Sequence, residues 1–492
     1  MKTKSSPSST SGKGHAAHTQ SSAVSGLPGA ISRKIKLAFL GAGSFFTPRL
    51  VNDLVRIPGE RGGTIALVDI DEKRLRVSAR LVRQLLASIG KAHWKLVTST
   101  DRVEVLKDSD YVVNCIEVSG LECVRWDNDI PLKYGVDQCI GDTIGPGGLF
   151  KALRTIPVWL KVLKDCERLC PDALVLNYTN PMAMLCTAAA RTSSMKVVGL
   201  CHSVQHTSDQ LARYAGVPVT ELEWECAGIN HLAWFTRLTH AGRDLYPDLK
   251  ARFARDVEKA LADHAAGNGP SDSEYEPVPL DRDIVRKDMC LRFGAFITES
   301  SGHLSEYLPY YRKSAAGRAY LRRGYDGGSR FYATHWPTWR ANADRDRNKI
   351  LRGELAMDWP RSWEYASWII EAKEKNSPFR IHGNVMNSTD GGGPLIANLP
   401  AWGCIEVACL IDANGVQPIR YGALPRQMAA VSASNLSFFD LGAEAAINRS
   451  VETAVHALLL DPLTSAVCTP AQIEAMTLEL FAAEKAFLPE YR

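Results

Sequence analysis

The hydrophobic positions of the chain fall into short apolar runs that alternate with longer amphipathic stretches over its first two hundred residues. Runs with the length of buried strands lie at 35–40, 65–68, 96–98, 111–116 and 173–178. Stretches with helical spacing lie at 48–56, 72–88 and 149–169. Strands that alternate with helices predict a doubly wound α/β domain with a parallel sheet. Beyond residue 231 the pattern becomes α+β, and helices dominate from Val431 onward.

The turn after the first predicted strand is rich in glycine. Gly41, Gly43 and Ser44 follow the strand, and Asp69 follows the second strand. This order is typical of a dinucleotide site, because the glycines admit a pyrophosphate at a helix N-terminus and the acid holds ribose hydroxyls. Phe46 stands where a third glycine is usual, so a tight turn in another α/β protein stays an alternative. An acid at position 69 favours NAD over NADP.

Polar side chains also follow the later strands. Asn114, Asn180, Cys201 and His202 each come at or just after a strand end, and His231 follows thirty residues later. In a doubly wound sheet, ligands bind outside the carboxyl ends of the strands. A thiol and an imidazole in that crevice are a candidate metal pair. Taken alone, Cys201 is more typical of a small buried apolar residue than of a metal ligand.

Composition excludes several classes of function. The formal net charge is +4 over 492 residues, which is too small to argue for nucleic acid or a membrane surface as partner. We find no apolar stretch of the roughly 20 residues that span a bilayer. The 12 cysteines are scattered without a disulfide framework, which favours a reducing, cytoplasmic compartment.

The length calls for more than one core. We expect a disordered leader at 1–33, which is rich in Ser, Gly, Thr and Ala. A Rossmann-like domain is then expected at 34–200 and an α+β domain at 201–492. Three local expectations can be checked directly: a glycine-rich loop at 142–148 that opens a helix near Leu149, a solvated basic helical face at 318–349, and a loop at 384–398.

Several of these segments together resemble glycoside hydrolase family 4, the NAD- and Mn²⁺-dependent glycosidases. The matching segments are 41–44, 142–148, 152–157, 177–183, 201–204, 228–231 and 406–409. The resemblance covers the chain from Lys34 to its C-terminus. The Cys-His-Ser-Val sequence at 201–204 resembles the α-galactosidase branch of the family. The resemblance implies a Rossmann-like sheet followed by an α+β domain of the lactate/malate dehydrogenase-like type.

The resemblance also implies a set of site residues. Cys201 and His231 match the two protein ligands of manganese, which Fe²⁺, Co²⁺ or Ni²⁺ could replace because a thiolate is a soft ligand. Asn180 matches a sugar-binding asparagine. The residues expected to bind NAD are Gly41, Gly43, Ser44, Asp69 and Asn114.

The activity implied is hydrolysis of α-galactosides such as melibiose without the usual pair of flanking carboxylates. NAD⁺ would oxidise C3, a base would remove the C2 proton, and the aglycone would leave C1 by β-elimination. Water addition and return of the hydride complete the cycle. His202 is the candidate general acid, with a hydrogen bond to sugar as its alternative role. For the base we favour Glu299 over His303, Glu306 and Tyr307, and a structural role for Glu299 is the alternative.

Three other functions stay open. An α-glucosidase or α-galacturonidase of the same family would differ in its contacts to sugar C4 and C6. A hydroxy-acid dehydrogenase would share the Rossmann half but would not need the pair Cys201 and His231. A non-catalytic NAD sensor is the third. The resemblance further implies a homodimer or homotetramer, with a small glycoside as the partner molecule.

Overall fold

The structure is a computed structural model, and it describes residues 26–267, 283–388 and 392–492. The expected leader at 1–33 lies mostly outside these ranges. Its described end, from residue 26, packs on the fold, since the Leu27 N–H donates to Glu371 Oε1 over 2.8 Å and Ile31 is buried. The expectation of a leader extending to residue 33 is therefore wrong for the part that the structure describes.

Strands and helices alternate through the first half of the chain. In the second half, consecutive strands and consecutive helices form separate groups. The strands of the described residues, β1 to β13, are Ile35–Leu40, Gly63–Val68, Lys95–Ser99, Tyr111–Asn114, Leu174–Asn177, Lys196–Gly199, Leu222–Ile229, Leu232–His240, Arg243–Asp244, Phe296–Ile297, Phe379–Met386, Cys404–Asp412 and Gly415–Pro418. The first nine helices, α1 to α9, are Thr47–Val55, Glu72–Ser88, Val103–Leu106, Leu121–Lys133, Gly145–Leu169, Met182–Thr192, Ser203–Ala215, Tyr246–Ala265 and Ile284–Phe293. The helices α10 to α17 are Ser301–Glu306, Ala315–Arg318, Phe331–Leu351, Tyr365–Lys375, Arg426–Asn448, Val451–Leu460, Pro462–Val467 and Pro470–Ala483.

One mixed sheet runs through the molecule. Its parallel part has the strand order β3-β2-β1-β4-β5-β6, which is that of a dinucleotide-binding fold. The sheet continues through antiparallel strands in the order β11-β12-β7-β8-β10. The predicted fold class, a parallel Rossmann-like part followed by an α+β part, is confirmed. Because the strands belong to one continuous sheet, the boundary at residue 200 stays a prediction.

Local sequence explains where the elements begin. The Asp71 carboxylate accepts the backbone N–H groups of Lys73 and Arg74 and caps α2, whose apolar positions Leu75, Ala79 and Val82 face the core. Such a cap contributes about 1 kcal/mol. Helix α17 begins with a capping box of Thr469 and Gln472.

Two local expectations need correction. The helix after the 142–148 segment begins at Gly145, not near Leu149, and Pro146 in its first turn suits a helix start there. Residues 384–386 belong to β11, where they pair with β12, so the loop begins later than predicted. Among the described helices, none has the length and apolarity that a membrane crossing requires.

Candidate active site

Three side chains that lie far apart in sequence meet at the centre of the sheet. The Cys201 thiol, the His231 imidazole and the Glu299 carboxylate each place a ligand atom within 4.8 Å of the other two. The His231 Nε2 atom lies 3.8 Å from Glu299 Oε2. Sulfur, nitrogen and oxygen donors around one point are a ligand set that suits a divalent transition metal.

The backbone holds two of these side chains in unusual conformations. His231 lies in the two-residue turn between β7 and β8 with φ +61°, and Glu299 follows β10 with φ +72°. Left-handed backbone at a non-glycine residue costs free energy and concentrates at functional sites. Neighbouring hydrogen bonds fix the Glu299 turn, since Thr298 Oγ1 accepts the Ala233 N–H at 3.0 Å and Ser300 caps α10.

The charges around this cluster favour a cation. Burial raises the pKa of the Cys201 thiol, and the Glu299 carboxylate raises it further. Burial also raises the pKa of Glu299, but His231 and His303 outweigh it and lower the pKa to about 2. Glu406 on β12 is fully buried, and neither of its carboxylate oxygens has a hydrogen-bond partner among the described residues. Unpaired buried acceptors are costly, so the donor set fits a bound metal ion.

A second set of polar side chains continues the site on one side. Asp142 lies between His303 and Lys151, with contacts of 3.5 Å and 3.7 Å. Lys151 also pairs with Glu117 at 3.0 Å. Burial raises the pKa of Asp142, but Lys151 and His303 outweigh it and hold that pKa well below its usual range. Asn180 donates to Asp142 Oδ2 at 3.3 Å, so its amide faces the same space.

His202 projects from the start of α7 on the other side of Cys201. Its Nε2 atom lies 2.5 Å from Glu364 Oε1, and its ring lies 5.8 Å from that of Phe46 in an edge-to-face contact. Burial lowers the pKa of His202, but the hydrogen bond and charge of Glu364 outweigh it and raise the pKa to about 9. Phe46 belongs to the glycine-rich turn, so the predicted general acid and the predicted dinucleotide site are neighbours.

The glycine-rich turn has the geometry of a dinucleotide site. A Cβ on Gly41 would lie 2.3 Å from the Cys115 carbonyl oxygen, and one on Gly43 would lie 2.7 Å from Asp69 Oδ2. The Gly43 N–H donates to Asp69 Oδ2 at 2.7 Å, and the Asp71 N–H donates to Oδ1 at 2.9 Å. The Asp69 carboxylate therefore holds the glycine-rich turn by accepting the backbone N–H of Gly43. Ser44 accepts the Phe46 N–H at 3.2 Å at the start of α1.

Asn114 is the one predicted dinucleotide residue with a fully buried side chain. It is 0% exposed, and its amide nitrogen donates to Asn177 Oδ1 at 2.8 Å across β4 and β5. The side chain thus braces two neighbouring strands behind the site. Contact between Asn114 and a cofactor stays a prediction.

Sequence reasoning missed several acidic side chains of the site, Glu406 and Glu364 among them. Glu406 stands inside the apolar run of β12, opposite Gly228 of β7. A carboxylate within a buried strand was the available signal. Glu364 gave no such signal, since it precedes α13 in an irregular stretch more than 150 residues from His202. The base candidates separate in space: Glu306 accepts backbone N–H groups of Cys139 and Ile140 (2.6 Å for Ile140), whereas His303 contacts Glu299 at 3.4 Å.

Comparison with known sequences matches two family models along the chain. Residues 36–217 match family 4 glycosyl hydrolase, and residues 226–464 match its C-terminal domain. The chain belongs to the family 4 glycosyl hydrolases. The predicted resemblance is confirmed, and an enzyme that hydrolyses glycosides replaces the dehydrogenase and sensor alternatives.

Relatives of known name cover nearly the whole chain. An alpha-galactosidase of Bacillus subtilis (strain 168) is 37% identical over 462 residues, which are 93% of this chain and 100% of that protein. An alpha-galactosidase of Rhizobium meliloti (strain 1021) is 36% identical over 468 residues, 93% of this chain and 89% of that protein. A 6-phospho-alpha-glucosidase from gut microorganisms, solved in complex with NAD and Mn²⁺, shares the fold with a TM-score of 0.74 and 24% identity, covering 94% of this chain and 100% of that one.

Proposed function

We propose that this family 4 glycosyl hydrolase cleaves α-galactosides in a reaction that depends on NAD⁺ and a divalent metal. The observation that carries the proposal is the convergence of Cys201, His231 and Glu299 on one point beside the glycine-rich turn. Two relatives above 35% identity that are named alpha-galactosidases support the galactoside. The related structure with NAD and Mn²⁺ supports the cofactors.

Cys201, His231 and Glu299 would hold the metal. When bound, a divalent cation there acts as a Lewis acid on sugar hydroxyl or carbonyl oxygens. The soft thiolate alone would not select manganese, but the Glu299 oxygen and sugar oxygens suit it, and Fe²⁺, Co²⁺ or Ni²⁺ would fit the same donors. The carboxyl group of Glu406, 0% exposed, has no hydrogen-bond partner among the described residues, and burial and the neighbouring Cys201 raise its pKa well above the usual value.

Gly41, Gly43, Ser44 and Asp69 would hold the dinucleotide, whose nicotinamide, when bound, takes up and returns a hydride at the sugar. A Cβ at Gly41 or Gly43 would clash with Cys115 or Asp69, so the two glycines allow the tight packing of the turn whose backbone would line the pyrophosphate. Asn180 would orient the sugar, because its amide is already aligned by Asp142 at one wall of the site.

His202 would donate a proton to the departing glycosidic oxygen. Glu364 accepts a hydrogen bond from Nε2 and so fixes the ring orientation and keeps the imidazole protonated in the neutral range. The edge-to-face contact with Phe46 and the tilted contact with Tyr178 limit rotation of the His202 ring further. We therefore propose Glu364 as the residue that positions the general acid.

Glu299 remains our candidate for the base that removes the C2 proton, although its position also suits a metal ligand. Glu299 accepts a hydrogen bond from the Tyr325 hydroxyl at 2.6 Å, and its carboxylate lies 3.4 Å from His303 Nδ1. A proton taken up by Glu299 could therefore pass to Tyr325 or His303. A Glu299→Gln variant separates the roles. If Glu299 is the base, the variant keeps its metal and loses turnover. If Glu299 is a metal ligand, the variant loses both the metal and turnover.

The assay that tests this function uses p-nitrophenyl α-galactoside and α-glucoside with NAD⁺, Mn²⁺ and a thiol reductant, each omitted in turn. We expect galactoside hydrolysis that disappears without NAD⁺ or without metal. Hydrolysis of the glucoside alone would overturn the galactoside and keep the chemistry. Full activity after removal of bound dinucleotide would overturn the NAD⁺ dependence.

We also propose a cytoplasmic location, a homodimer or homotetramer, and a functional division near residue 200. The first is supported by the cysteines, because all 12 are free thiols in the described structure. The division is supported by the two family models, which meet between residues 217 and 226. Light scattering of the purified chain would test the assembly.

A further inference from the structure

Helix α12 crosses the ends of the strands that form the dinucleotide site. It packs on α2, which follows β2, and on α4, which follows β4. Both ends are attached: the Tyr332 N–H donates to the Cys139 carbonyl at 2.9 Å, and Gln84 Nε2 donates to the Ile350 carbonyl at 3.1 Å. The basic stretch at 318–349 was predicted to be a solvated face, and for Arg347 this is wrong, because the residue is 5% exposed.

Three arginines collect between α12 and the glycine-rich turn. Arg347 Nη2 donates to the Gly43 carbonyl oxygen at 2.9 Å. Arg74, at the start of α2, shares the Asp344 carboxylate with Arg347, both over 3.3 Å. Arg340 lies on the same face of α12 as Asp344 and Arg347, because positions 340, 344 and 347 recur at helical spacing. Its Nη1 atom lies 3.6 Å from the position that a Cβ on Gly120, after β4, would occupy.

The positive charge of this cluster exceeds its negative charge. Among the described residues, Asp344 is the acidic side chain that pairs with Arg74 and Arg347. Asp69 lies nearby, but both of its carboxylate oxygens accept backbone N–H groups instead. The buried Nε of Arg347 has no hydrogen-bond partner among the described residues. Burial lowers the pKa of Arg347 to about 10, and repulsion from Arg74 contributes. Arg347, the buried member of the three, is stable only beside an anion.

We propose that Arg74, Arg340 and Arg347 form a phosphate-binding site that holds a phosphate group of the dinucleotide against the glycine-rich turn. The inference rests on the proposed NAD⁺ dependence and assigns α12, a helix of the C-terminal half, to the cofactor site. Guanidinium groups bind phosphate oxygens in paired, charge-assisted hydrogen bonds. The phosphate is either the pyrophosphate, which NAD⁺ and NADP⁺ share, or the ribose 2′-phosphate of NADP⁺.

The test is calorimetric titration of the full chain with NAD⁺ and NADP⁺ in the absence of substrate. Arg340→Gln should weaken binding by about tenfold, the loss of one charge-assisted hydrogen bond. Asp344→Asn should instead tighten binding by severalfold, because it removes the carboxylate that competes with phosphate. A structural role for the helix would weaken binding in both variants. Arg345→Gln, on the exposed side of the same helix, is the matched control and should leave binding unchanged.

Two further results complete the test. Equal weakening for NAD⁺ and NADP⁺ in Arg340→Gln assigns the pyrophosphate, and weakening for NADP⁺ alone assigns the 2′-phosphate. If the wild type binds NAD⁺ and both Arg340→Gln and Asp344→Asn bind NAD⁺ and NADP⁺ with the wild-type affinities, the inference is overturned while the proposed function stands. If the wild type binds neither dinucleotide, the proposed function is overturned. Because Arg347 is buried, Arg347→Gln is interpreted only where its thermal melting matches the wild type.

Discussion

Replacing Arg154 with methionine should destabilise the fold without touching the site. Arg154, on α5, is 1% exposed and donates to both carboxylate oxygens of Asp127, at 3.0 and 2.8 Å, and to Glu484 after α17. The residue therefore joins three helices through one guanidinium group. Arg154 lies in the 152–157 segment that carries the family resemblance, and its contacts give this segment a role in stabilising the fold.

The expected cost follows from the burial of the partners. The side chains of Asp127 and Glu484 are 3% and 0% exposed, so the variant leaves buried carboxyl groups without their cation. Breaking such a pair costs about 3–5 kcal/mol. Burial and the Asp127 charge raise the pKa of Glu484 well above its usual value. The cost therefore comes from two buried carboxyl groups that lose the cation they share.

Thermal unfolding followed by circular dichroism measures the effect. Arg154→Met should lower the melting temperature by roughly 3–5 °C at pH 7, because 1 kcal/mol corresponds to about 1 °C in a chain of 492 residues. Arg76→Met is the matched control: its partner Glu72 is 61% exposed, and a surface pair contributes about 0–1 kcal/mol. Equal melting temperatures for Arg154→Met and the wild type would refute the reasoning.

Three further variants test the site. Glu364→Gln should lower kcat at least tenfold with little change in KM, because His202 loses the carboxylate that orients and charges it; unchanged kcat would contradict the positioning role. Gly43→Ala should weaken NAD⁺ binding about tenfold in a titration, since its Cβ would stand 2.7 Å from Asp69 Oδ2; unaltered affinity would argue against the assigned turn. Cys201→Ser should keep the wild-type melting profile after metal removal but retain less metal on gel filtration; full retention would remove Cys201 from the ligand set.

Much of the parallel sheet could be predicted because its signals are local. The strand at 35–40, the glycine turn and Asp69 lie within 35 residues, and each follows from period and turn chemistry. Two of the three candidate metal ligands, Cys201 and His231, could be predicted because they follow strand ends in the sequence. Glu299 was named for another role, since its left-handed backbone and its approach to His231 depend on pairing between β8 and β10.

Other features depend on contacts between distant segments. Glu364 meets His202 across more than 150 residues, and Arg347 meets Gly43 across about 300, so no local pattern carries either contact. The basic composition of 318–349 is the usual sign of a solvated helix. Burial of Arg347 against the glycine-rich turn is a tertiary effect that overrides this sign, and such exceptions are expected near functional sites.

The most direct test of the account is the fate of the hydrogen at sugar C2. Hydrolysis of an α-galactoside in D₂O, with NAD⁺ and Mn²⁺ supplied, should give galactose that carries deuterium at C2 when sampled at early times by NMR. Elimination requires a base to remove the C2 proton, and solvent then replaces it. Galactose incubated with the enzyme under the same conditions measures exchange after hydrolysis. Product that keeps its original hydrogen at C2 would contradict the account, since direct displacement at C1 leaves C2 untouched.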